Sequence, residues 1–598
     1  MATIEQTGAE EVAWDLSDLY EGPDDPALER DVADAEQAGE AFHERYHGKV
    51  ATLSAAELAE AVAEHERIES VFTRASYYAH LNFSTNMADA PRGALVAKLN
   101  ERAAALDTKL LFFGLEWAAL EDEPADVLLA SSELDHWRHH LRSQRKFRPY
   151  LLSEPEERIV TEKGVSGNAS WRRLYEELLG ALRVTIDGDE MSLESAMARL
   201  YSSDREVRSS AAAAVSEALQ PGLRTRTFIF NTILLDKSIE DRLRGYPTWL
   251  TARNLANETT DEAVAALIDA AVSRYEVPQR YYTLKARLLG LDRLSHFDRF
   301  APVAVDTTKT AWDDAREIVS GAYGGFSIET GDIVERFFAG SWIDAPVRDD
   351  KRTGAFCATT IPGRHPYILM NYTGDRRSIL TLAHELGHGL HGVLAGPQGL
   401  FNASTPLTTA ETASVFGESL TFELLLDRED DPRRRLDLLT GRIEDAIATV
   451  FRQIAMNRFE QAVHTERREV GEISSERIAE LWRERQLELF GGAVDIDGYD
   501  AWWSYIPHFT NAPGYVYAYA FGYLFSLAIY RRYLDEGEAM VDPYLELLRA
   551  GGSQPPEELA RMVGLDLADP AIWASGIDAL AAQLDEAEQL AAEIGLGS

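Results

Sequence analysis

The residues best suited to chemistry lie in the segment TLAHELGHGLHG, residues 381–392. It contains His384, Glu385 and His388 in the spacing H-E-x-x-H. Because residues four apart share one face of an α-helix, both imidazoles can reach a single metal ion. The glutamate between them can act on a water bound to that ion. The pattern predicts a catalytic site with one Zn²⁺ per chain, two histidine ligands and Glu385 as general base.

The flanking sequence predicts that this segment is a helix. Apolar residues recur at helical spacing, at Ile379, Ala383, Leu386, Leu390 and Val393. Asp375 or Ser378 can cap the start of the helix, and Gly396-Pro397 predicts its end.

A catalytic zinc usually has three protein ligands and one open position, so a third ligand is needed. His391 lies two turns after His384, about 10 Å along the helix axis, which is too far for one metal. The metzincin pattern would need a histidine where this chain has Leu394. Glu411, at the start of the helical segment ETASVFGESLTFELLL, is the better candidate, and Glu418 would share its helix face. One of these carboxylates can bind the metal while the other orients a ligand imidazole; we favour Glu411 as the ligand.

Around this motif the chain resembles the M3 family of zinc oligopeptidases and, within it, the oligoendopeptidase F subgroup. The resemblance runs over most of the chain and is carried by segments in the family's order: WDLSDLY (14–20), RGYPTWL (244–250), FDRFAPV (297–303), GAFCATTIPGRHPYILMNYTGD (354–375), HELGHGLHG (384–392), AETASVFGE (410–418) and PHFTNAPGYVYAYAFG (507–522). Each segment alone is weakly specific. Their order, together with the metal motif, makes the resemblance specific.

The resemblance implies roles for particular residues. The zinc ligands of the family match His384, His388 and Glu411, and its general base matches Glu385. His508 matches a histidine near the scissile carbonyl, and Tyr515 and Tyr519 match tyrosines of the same run. This run is one residue longer than the family pattern between His508 and Tyr515, so Tyr523 also stays a candidate. A tyrosine hydroxyl and the His508 imidazole can donate to the oxyanion that develops during peptide hydrolysis.

The segment HPYILMNYTG, residues 365–374, comes directly before the metal helix. It is interpreted as a strand whose edge pairs with the substrate backbone, an interpretation that the resemblance favours over a purely structural strand. The expected substrate-binding residues are Gly354, His365 and Tyr367. Gly354 and Gly363 could let two backbones approach closely.

Elsewhere the apolar period is near 3.6, which predicts a mainly α-helical protein. Stretches near residues 296–305 and 354–375 contain β-branched and aromatic residues with Gly and Pro, and they predict short strands and turns. A soft boundary separates an N-terminal helical lobe, 1–200, from a catalytic region, 201–598. The resemblance implies two helical lobes around a deep channel, with a small β-sheet beside the HExxH helix, as in neurolysin-like zincins. Such a channel would restrict substrates to short unfolded peptides.

The composition excludes some classes of partner. Of 598 residues, 45% are apolar and 26% are charged, which indicates a globular protein. The formal net charge of -40 repels nucleic acid and anionic membranes. Only 9 of the 59 basic residues are lysines. Together with the carboxylate excess this indicates a surface adapted to concentrated salt, where the Debye length is about 3 Å at 1 M.

Cysteine content and apolar runs bear on the compartment. Cys357 is the single cysteine, which excludes an intrachain disulfide; we expect a small buried residue there and not a reactive thiol. The N-terminus has no apolar signal segment, so we expect a cytoplasmic protein. Residues 512–530 carry no charge, but their five tyrosines favour a buried helix over a membrane span.

Other functions stay open at this point. A helical metallocarboxypeptidase would share the HExxH motif but would need a cation for the terminal carboxylate of its substrate. A non-catalytic peptide-binding protein would have lost Glu385 or a metal ligand, and this chain has kept them. A structural zinc site is usually closed by four Cys or His ligands, which one cysteine does not favour. The sequence therefore predicts a metalloendopeptidase for short peptides, and it leaves the oligomeric state open.

Overall fold

The computed structural model describes residues 7–303, 308–359 and 363–596, and these residues are mainly helical. The α-helices, in chain order, are α1 Pro26–Tyr46, α2 Ala55–Ser84, α3 Ala90–Ala119, α4 Asp122–Leu129, α5 Arg138–Arg145, α6 Glu154–Ser166, α7 Asn168–Gly180, α8 Leu193–Ala198, α9 Arg205–Leu219, α10 Leu223–Arg244, α11 Thr251–Ala256, α12 Asp261–Ser273, α13 Glu276–Leu288, α14 Trp312–Phe326, α15 Ile328–Ala339, α16 Arg376–Ala395, α17 Leu400–Ala403, α18 Leu407–Ala410, α19 Thr412–Asp427, α20 Pro432–Ala446, α21 Arg452–Glu469, α22 Ser475–Phe490, α23 His508–Asn511, α24 Tyr517–Glu536, α25 Val541–Ala550, α26 Pro556–Met562 and α27 Pro570–Glu593.

Short 3₁₀ helices connect some of these elements. They are Val50–Thr52, Ser132–Leu134, Arg148–Tyr150, Arg199–Tyr201, His296–Phe300, Gly396–Gln398, Trp502–Tyr505 and Gly537–Met540. A π-helical turn, Ile447–Phe451, joins α20 to α21.

The strands are short and form small sheets. They are β1 Arg183–Ile186, β2 Asp189–Ser192, β3 Leu294–Ser295, β4 Ile343–Asp344, β5 Phe356–Ala358, β6 Tyr367–Leu369 and β7 Val494–Asp495. β1 pairs with β2 in an antiparallel hairpin, and β3 pairs with β7 in parallel. The third sheet has the order β4-β6-β5, with β6 parallel to β4 and antiparallel to β5. It comes directly before α16 in the chain, so the prediction of a mainly helical fold with a small sheet by the HExxH helix is confirmed.

The chain divides into two compact units, each made of three segments. Unit 1 comprises residues 1–149, 307–428 and 529–566, and unit 2 comprises residues 150–306, 429–528 and 567–598. Unit 1 contains the three-stranded sheet, α16 and α19, and unit 2 contains α21 and α23. The linear division at residue 200 and the deep channel stay predictions.

One expected strand region is largely helical. Strand β3 ends at Ser295, just before the stretch 296–305 that was expected to be extended. A 3₁₀ helix follows it from His296 to Phe300. The reason is local, because the Ser295 N–H donates to the Asp298 carboxylate at 2.9 Å and so starts a helical turn. That carboxylate also accepts from Arg208 at 2.9 Å, which fixes the turn on α9. Residues 304–305 of the stretch lie outside the described residues.

The uncharged run at 512–530 mostly belongs to α24, where residues 520–530 are buried. This confirms the prediction of a buried helix. In the described ranges, none of the helices combines the length and the apolar character that crossing a membrane requires.

Candidate metal centre

Helix α16 carries His384 and His388 on one face, and the buried Glu385 lies between them in sequence. Its start is capped by Asp375, whose carboxylate accepts the Ser378 N–H at 2.8 Å, and the helix ends at Ala395, before Gly396. The opposite face is buried in unit 1. The side chains of His384 and His388 keep 29% and 24% of their exposure, so both are accessible from one side. The predicted helix, its cap and its end are confirmed.

Helix α19 approaches α16 very closely at Gly387. A Cβ atom at this glycine would lie 2.4 Å from the Ala413 carbonyl oxygen and 2.5 Å from the Ser414 Cα atom. Helix α14 also approaches α19 closely, at Gly417, where the Tyr323 hydroxyl of α14 occupies the space that a side chain would take. That hydroxyl donates to the Ala383 carbonyl at 2.7 Å. The missing side chain of Gly387 therefore lets the start of α19 lie directly against the metal-binding helix.

The three predicted ligands converge. The atoms that His384, His388 and Glu411 offer all lie within 4.8 Å of one another. Glu411 Oε2 lies 3.4 Å from His384 Nε2 and 3.5 Å from His388 Nε2. Two ligands at tetrahedral angles on a zinc ion, each about 2.0–2.1 Å from it, are separated by about 3.4 Å. The spacing of the donors and their chemistry, two imidazoles and one carboxylate, therefore fit a catalytic zinc.

Glu411 is itself held in place by the beginning of α19. It immediately precedes the helix, and the Ser414 hydroxyl donates to its Oε2 atom at 2.6 Å. Burial raises the pKa of Glu411, but the neighbouring imidazoles of His388 and His384 and this hydroxyl lower it below its usual range. The carboxylate is thus held in the ionised form that a metal ligand requires. Sequence analysis missed Ser414, although its position three residues after Glu411 at a helix start brings the two side chains within reach of each other.

Glu418 lies on the other side of the His384 ring. Its Oε2 atom is 3.2 Å from His384 Nδ1, which leaves Nε2 for Glu411 and a metal. Burial lowers the pKa of His384, but the hydrogen bond to Glu418 and the charges of Glu411, Glu418 and Glu385 raise it to about 9. Three carboxylates around two imidazoles therefore form a site that a cation stabilises.

Glu385 is buried beside the metal residues, with 6% of its surface exposed. The backbone N–H of Cys357 donates to its carboxylate, and its Oε2 atom has no hydrogen-bond partner among the residues that the structure describes. Burial raises the pKa of Glu385 to about 7, with Glu411 adding to the rise and His384 opposing it. A carboxyl group with one free oxygen and a pKa near neutrality can both accept and return a proton.

His391 is separate from this ligand set, as predicted. It is buried at 7% exposure, and burial, with some help from His388, lowers its pKa to about 4. His391 is therefore a neutral histidine of the core.

The sheet beside α16 corrects one expectation. β6 lies between β4 and β5, so the segment 365–374 does not offer a free edge. Tyr367 is fully buried and its hydroxyl donates to Asp18, which leaves it no surface for a substrate. His365 is half-buried and stacks on Trp342 with ring centroids 4.0 Å apart. The edge strands are β4 and β5, and β5 lies next to Glu385 because the Cys357 N–H reaches that carboxylate.

Gly354 lies in the loop before this edge strand. Its φ angle of 78° is left-handed, and its carbonyl accepts from Asn371 Nδ2 at 2.9 Å. Gly363 also has a left-handed φ, 85°. Substrate contacts of Gly354 and His365 stay predictions. The single cysteine, Cys357, is partly buried and its thiol pKa is raised by burial and by the charge of Glu385, which agrees with an unreactive thiol.

In unit 2, the structure brings together His508, Tyr515 and Tyr519. His508 and Tyr515 stack with ring centroids 5.9 Å apart, and Tyr515 meets Tyr519 edge to face at 4.9 Å. His508 Nε2 lies 3.3 Å from the Tyr519 hydroxyl oxygen. All three are half-buried, whereas Tyr523 is only 4% exposed, so accessibility favours Tyr515 and Tyr519 as donors to a substrate. Their approach to the metal residues stays a prediction.

The remaining tyrosine of this run is structural. Tyr517 is fully buried; its hydroxyl donates to Asn254 at 2.7 Å and accepts from Asn257 at 2.9 Å.

The chain is similar in sequence to known peptidases. A model of peptidase family M3 matches residues 327–578, and a model described as oligopeptidase F matches residues 116–183. The chain is 27% identical over 603 residues to oligopeptidase PepF of Bacillus subtilis, covering 97% of this chain and 87% of that protein. It is 24% identical to the group B oligopeptidase PepB of Streptococcus agalactiae, covering 84% of this chain and 83% of that one.

The fold is also similar to solved structures. A crystal structure from Chlamydophila abortus superposes with a TM-score of 0.85 at 22% identity, covering 97% of this chain and 98% of that one. Oligoendopeptidase F from Enterococcus faecium superposes with a TM-score of 0.73 at 22% identity, covering 94% of this chain and 99% of that chain.

Proposed function

We propose that the chain is a member of peptidase family M3, whose model matches residues 327–578, and that it is a zinc endopeptidase that cuts internal bonds of short, unfolded peptides. The observation that supports this most strongly is the arrangement of His384, His388 and Glu411 around one point. Beside it lies the Glu385 Oε2 atom, for which the described part of the chain provides no hydrogen-bond partner. We further propose that it acts in the cytoplasm.

The ligand set leaves room for the chemistry of peptide hydrolysis. A zinc ion held by His384, His388 and Glu411 would polarise a peptide carbonyl and lower the pKa of a bound water toward about 7. Glu385 accepts a proton from the attacking water on its free Oε2 atom and passes that proton to the leaving amine. Glu418 keeps the His384 ring oriented throughout, because its bond to Nδ1 leaves Nε2 directed at the metal position.

The unit 2 cluster supplies donors for the oxyanion. We assign this role to Tyr515 or Tyr519 together with His508, because these side chains are partly accessible and in mutual contact. Burial and the charge of Arg452 lower the pKa of His508, so the imidazole is neutral at pH 7 and donates through one ring nitrogen. Removing such a donor costs about 10²–10³ in kcat in other enzymes, and we expect this range for one of the variants Tyr515→Phe and Tyr519→Phe.

The edge strand β5 offers a place for the substrate backbone. A peptide that pairs with this edge would gain main-chain hydrogen bonds that do not depend on its side chains. Its scissile bond would then lie close to Glu385, because the Cys357 backbone reaches that carboxylate. This arrangement predicts broad side-chain tolerance.

The proposal is tested with an internally quenched peptide of about eight residues whose two ends are blocked. We expect internal cleavage, mapped by mass spectrometry, that disappears with a chelator and returns with added Zn²⁺. The same peptide with free ends is the control. Cleavage of the free-ended peptide alone would favour a carboxypeptidase, and zinc binding without cleavage of either peptide would favour a peptide-binding protein.

A further inference from the structure

The turn before Tyr515 donates a hydrogen bond to a buried side chain, Glu460. Gly514 has a left-handed φ of 74°, and its backbone N–H donates to Glu460 Oε1 at 2.9 Å. A Cβ atom at this glycine would lie 2.7 Å from Leu250 Cδ2 and 3.4 Å from the Trp249 ring. The turn is therefore packed closely against the 249–253 segment in a backbone conformation that favours glycine, and Glu460 accepts a hydrogen bond from its amide.

The 249–253 segment, against which this turn packs, is bound to helix α21, and the same helix carries Glu460. One turn further along, the His464 ring stacks on Trp249, with centroids 4.4 Å apart and planes 18° from parallel. Trp249 Nε1 donates to Gln461 Oε1 at 2.5 Å. The Arg253 guanidinium carbon lies 5.9 Å from the centre of the Tyr515 ring. The same face of α21 thus holds both the turn and the segment that the turn rests on.

Glu460 is an unusual residue to bury. It is 1% exposed, and its Oε2 atom has no hydrogen-bond partner within the described ranges of the chain. Burial raises its pKa to about 8, against the effects of the Gly514 N–H and the charges of Arg253 and Lys237. Burying an acid with one unsatisfied oxygen destabilises a fold, and the hydrogen bond from Gly514 to the other oxygen offsets part of that cost.

The chain on both sides of the turn is also anchored. Asn511 Nδ2 donates to Glu176 at 2.9 Å, and the Tyr517 hydroxyl is bound by two asparagines. Between these anchors, Gly514 makes the contact with Glu460 and directly precedes Tyr515, whose ring stacks on His508.

We propose that Glu460 is a positioning residue, which fixes the Gly514 turn and through it the Tyr515 and His508 side chains in the arrangement used for hydrolysis. The consequence for catalysis rests on the proposed function of Tyr515 and His508. The hydrogen bond between Gly514 and Glu460 is seen in the structure and does not depend on that function. Glu460 itself touches no substrate in this proposal.

Two variants and a matched control test this. Glu460→Met removes the acceptor, Glu460→Gln keeps an acceptor oxygen, and Glu469→Met changes an exposed glutamate of the same helix. The first measurement is hydrogen exchange of the Gly514 amide. We expect slow exchange in the wild type and about tenfold faster exchange in Glu460→Met, because one hydrogen bond contributes on the order of a factor of ten. Glu460→Gln should restore slow exchange, and Glu469→Met should exchange like the wild type.

The second measurement separates positioning from a purely structural role. In Glu460→Met we expect kcat to fall by about 10–100-fold, with KM within about twofold and an unchanged zinc content, because small misplacements of a catalytic group have effects of this size. Glu460→Gln should recover most of the lost kcat.

The proposal is overturned if the wild-type Gly514 amide exchanges as fast as exposed loop amides, a test that needs no folded variant. It is also overturned if the Gly514 amide exchanges faster in Glu460→Met but this variant keeps the wild-type kcat, while Tyr515→Phe has a reduced kcat. If Tyr515→Phe and the His508→Ala variant are both as active as the wild type, the proposed function of these side chains has failed, and the positioning role fails with it.

Discussion

The two ring nitrogens of His384 face different carboxylates. Nδ1 lies 3.2 Å from Glu418 and Nε2 lies 3.4 Å from Glu411. A hydrogen bond from Nδ1–H to Glu418 fixes the tautomer in which Nε2 presents its lone pair to a metal. At this scale the sequence was most informative. The H-E-x-x-H spacing predicts that His384 and His388 share a helix face, a second helical segment offers Glu411 and Glu418, and the structure brings these four side chains together.

Removing the Glu418 carboxylate should therefore weaken metal binding without removing a ligand. For Glu418→Ala we expect a zinc affinity lower by about 10–100-fold, measured by competition with a chromophoric chelator. Glu418→Gln, which keeps an acceptor for Nδ1–H, should lie between this variant and the wild type. An unchanged affinity in Glu418→Ala would show that the ring orientation does not depend on Glu418.

The contact between α16 and α19 brings Glu411 to the histidines. At Gly387 this contact leaves no room for even a methyl group, since Ala413 and Ser414 lie within 2.5 Å of the position that Cβ would take. For Gly387→Ala we expect the two helices to separate, with a loss of stability of about 1–3 kcal/mol and a weaker metal site. Thermal unfolding and zinc titration measure the two effects.

Gly396→Ala is the matched control for this prediction. It lies just after the same helix, where a Cβ atom would meet nothing within 4 Å. If Gly387→Ala and Gly396→Ala have the same unfolding midpoint and the same zinc affinity, the close approach at Gly387 does not position Glu411.

Local patterns predicted these helices well and the sheet poorly. The cap at Asp375 and the helical spacing of α16 depend on neighbours in sequence, so they could be derived from it. Which strand is central depends on the pairing of β4, β5 and β6, each two or three residues long, and such short strands carry no periodic signal. The sequence therefore predicts an edge strand at 365–374 and a substrate contact at Tyr367, whereas β6 is central and Tyr367 is buried. The close approach at Gly387 likewise involves residues on a second helix that spacing within α16 cannot reveal.

At the scale of the whole molecule the dominant feature is charge. With a net charge of -40, the surface carboxylates repel one another, and added salt screens that repulsion. We propose that the surface is adapted to concentrated salt, and we expect the midpoint of thermal unfolding to rise by several degrees between 0.1 M and 2 M KCl. Sucrose at equal osmolality is the control for a general solute effect. A midpoint that is constant or falls with KCl would contradict this adaptation.

The central claim is that His384, His388 and Glu411 hold the metal while Glu385 transfers the proton. Zinc content and peptide cleavage measured together on Glu411→Gln and Glu385→Gln test it most directly. We predict that Glu385→Gln keeps one zinc per chain but loses about 10²–10⁴-fold in kcat, whereas Glu411→Gln loses the zinc as well as the activity. A Glu411→Gln variant that keeps its zinc, or a Glu385→Gln variant that cleaves at the wild-type rate, would contradict the assignment.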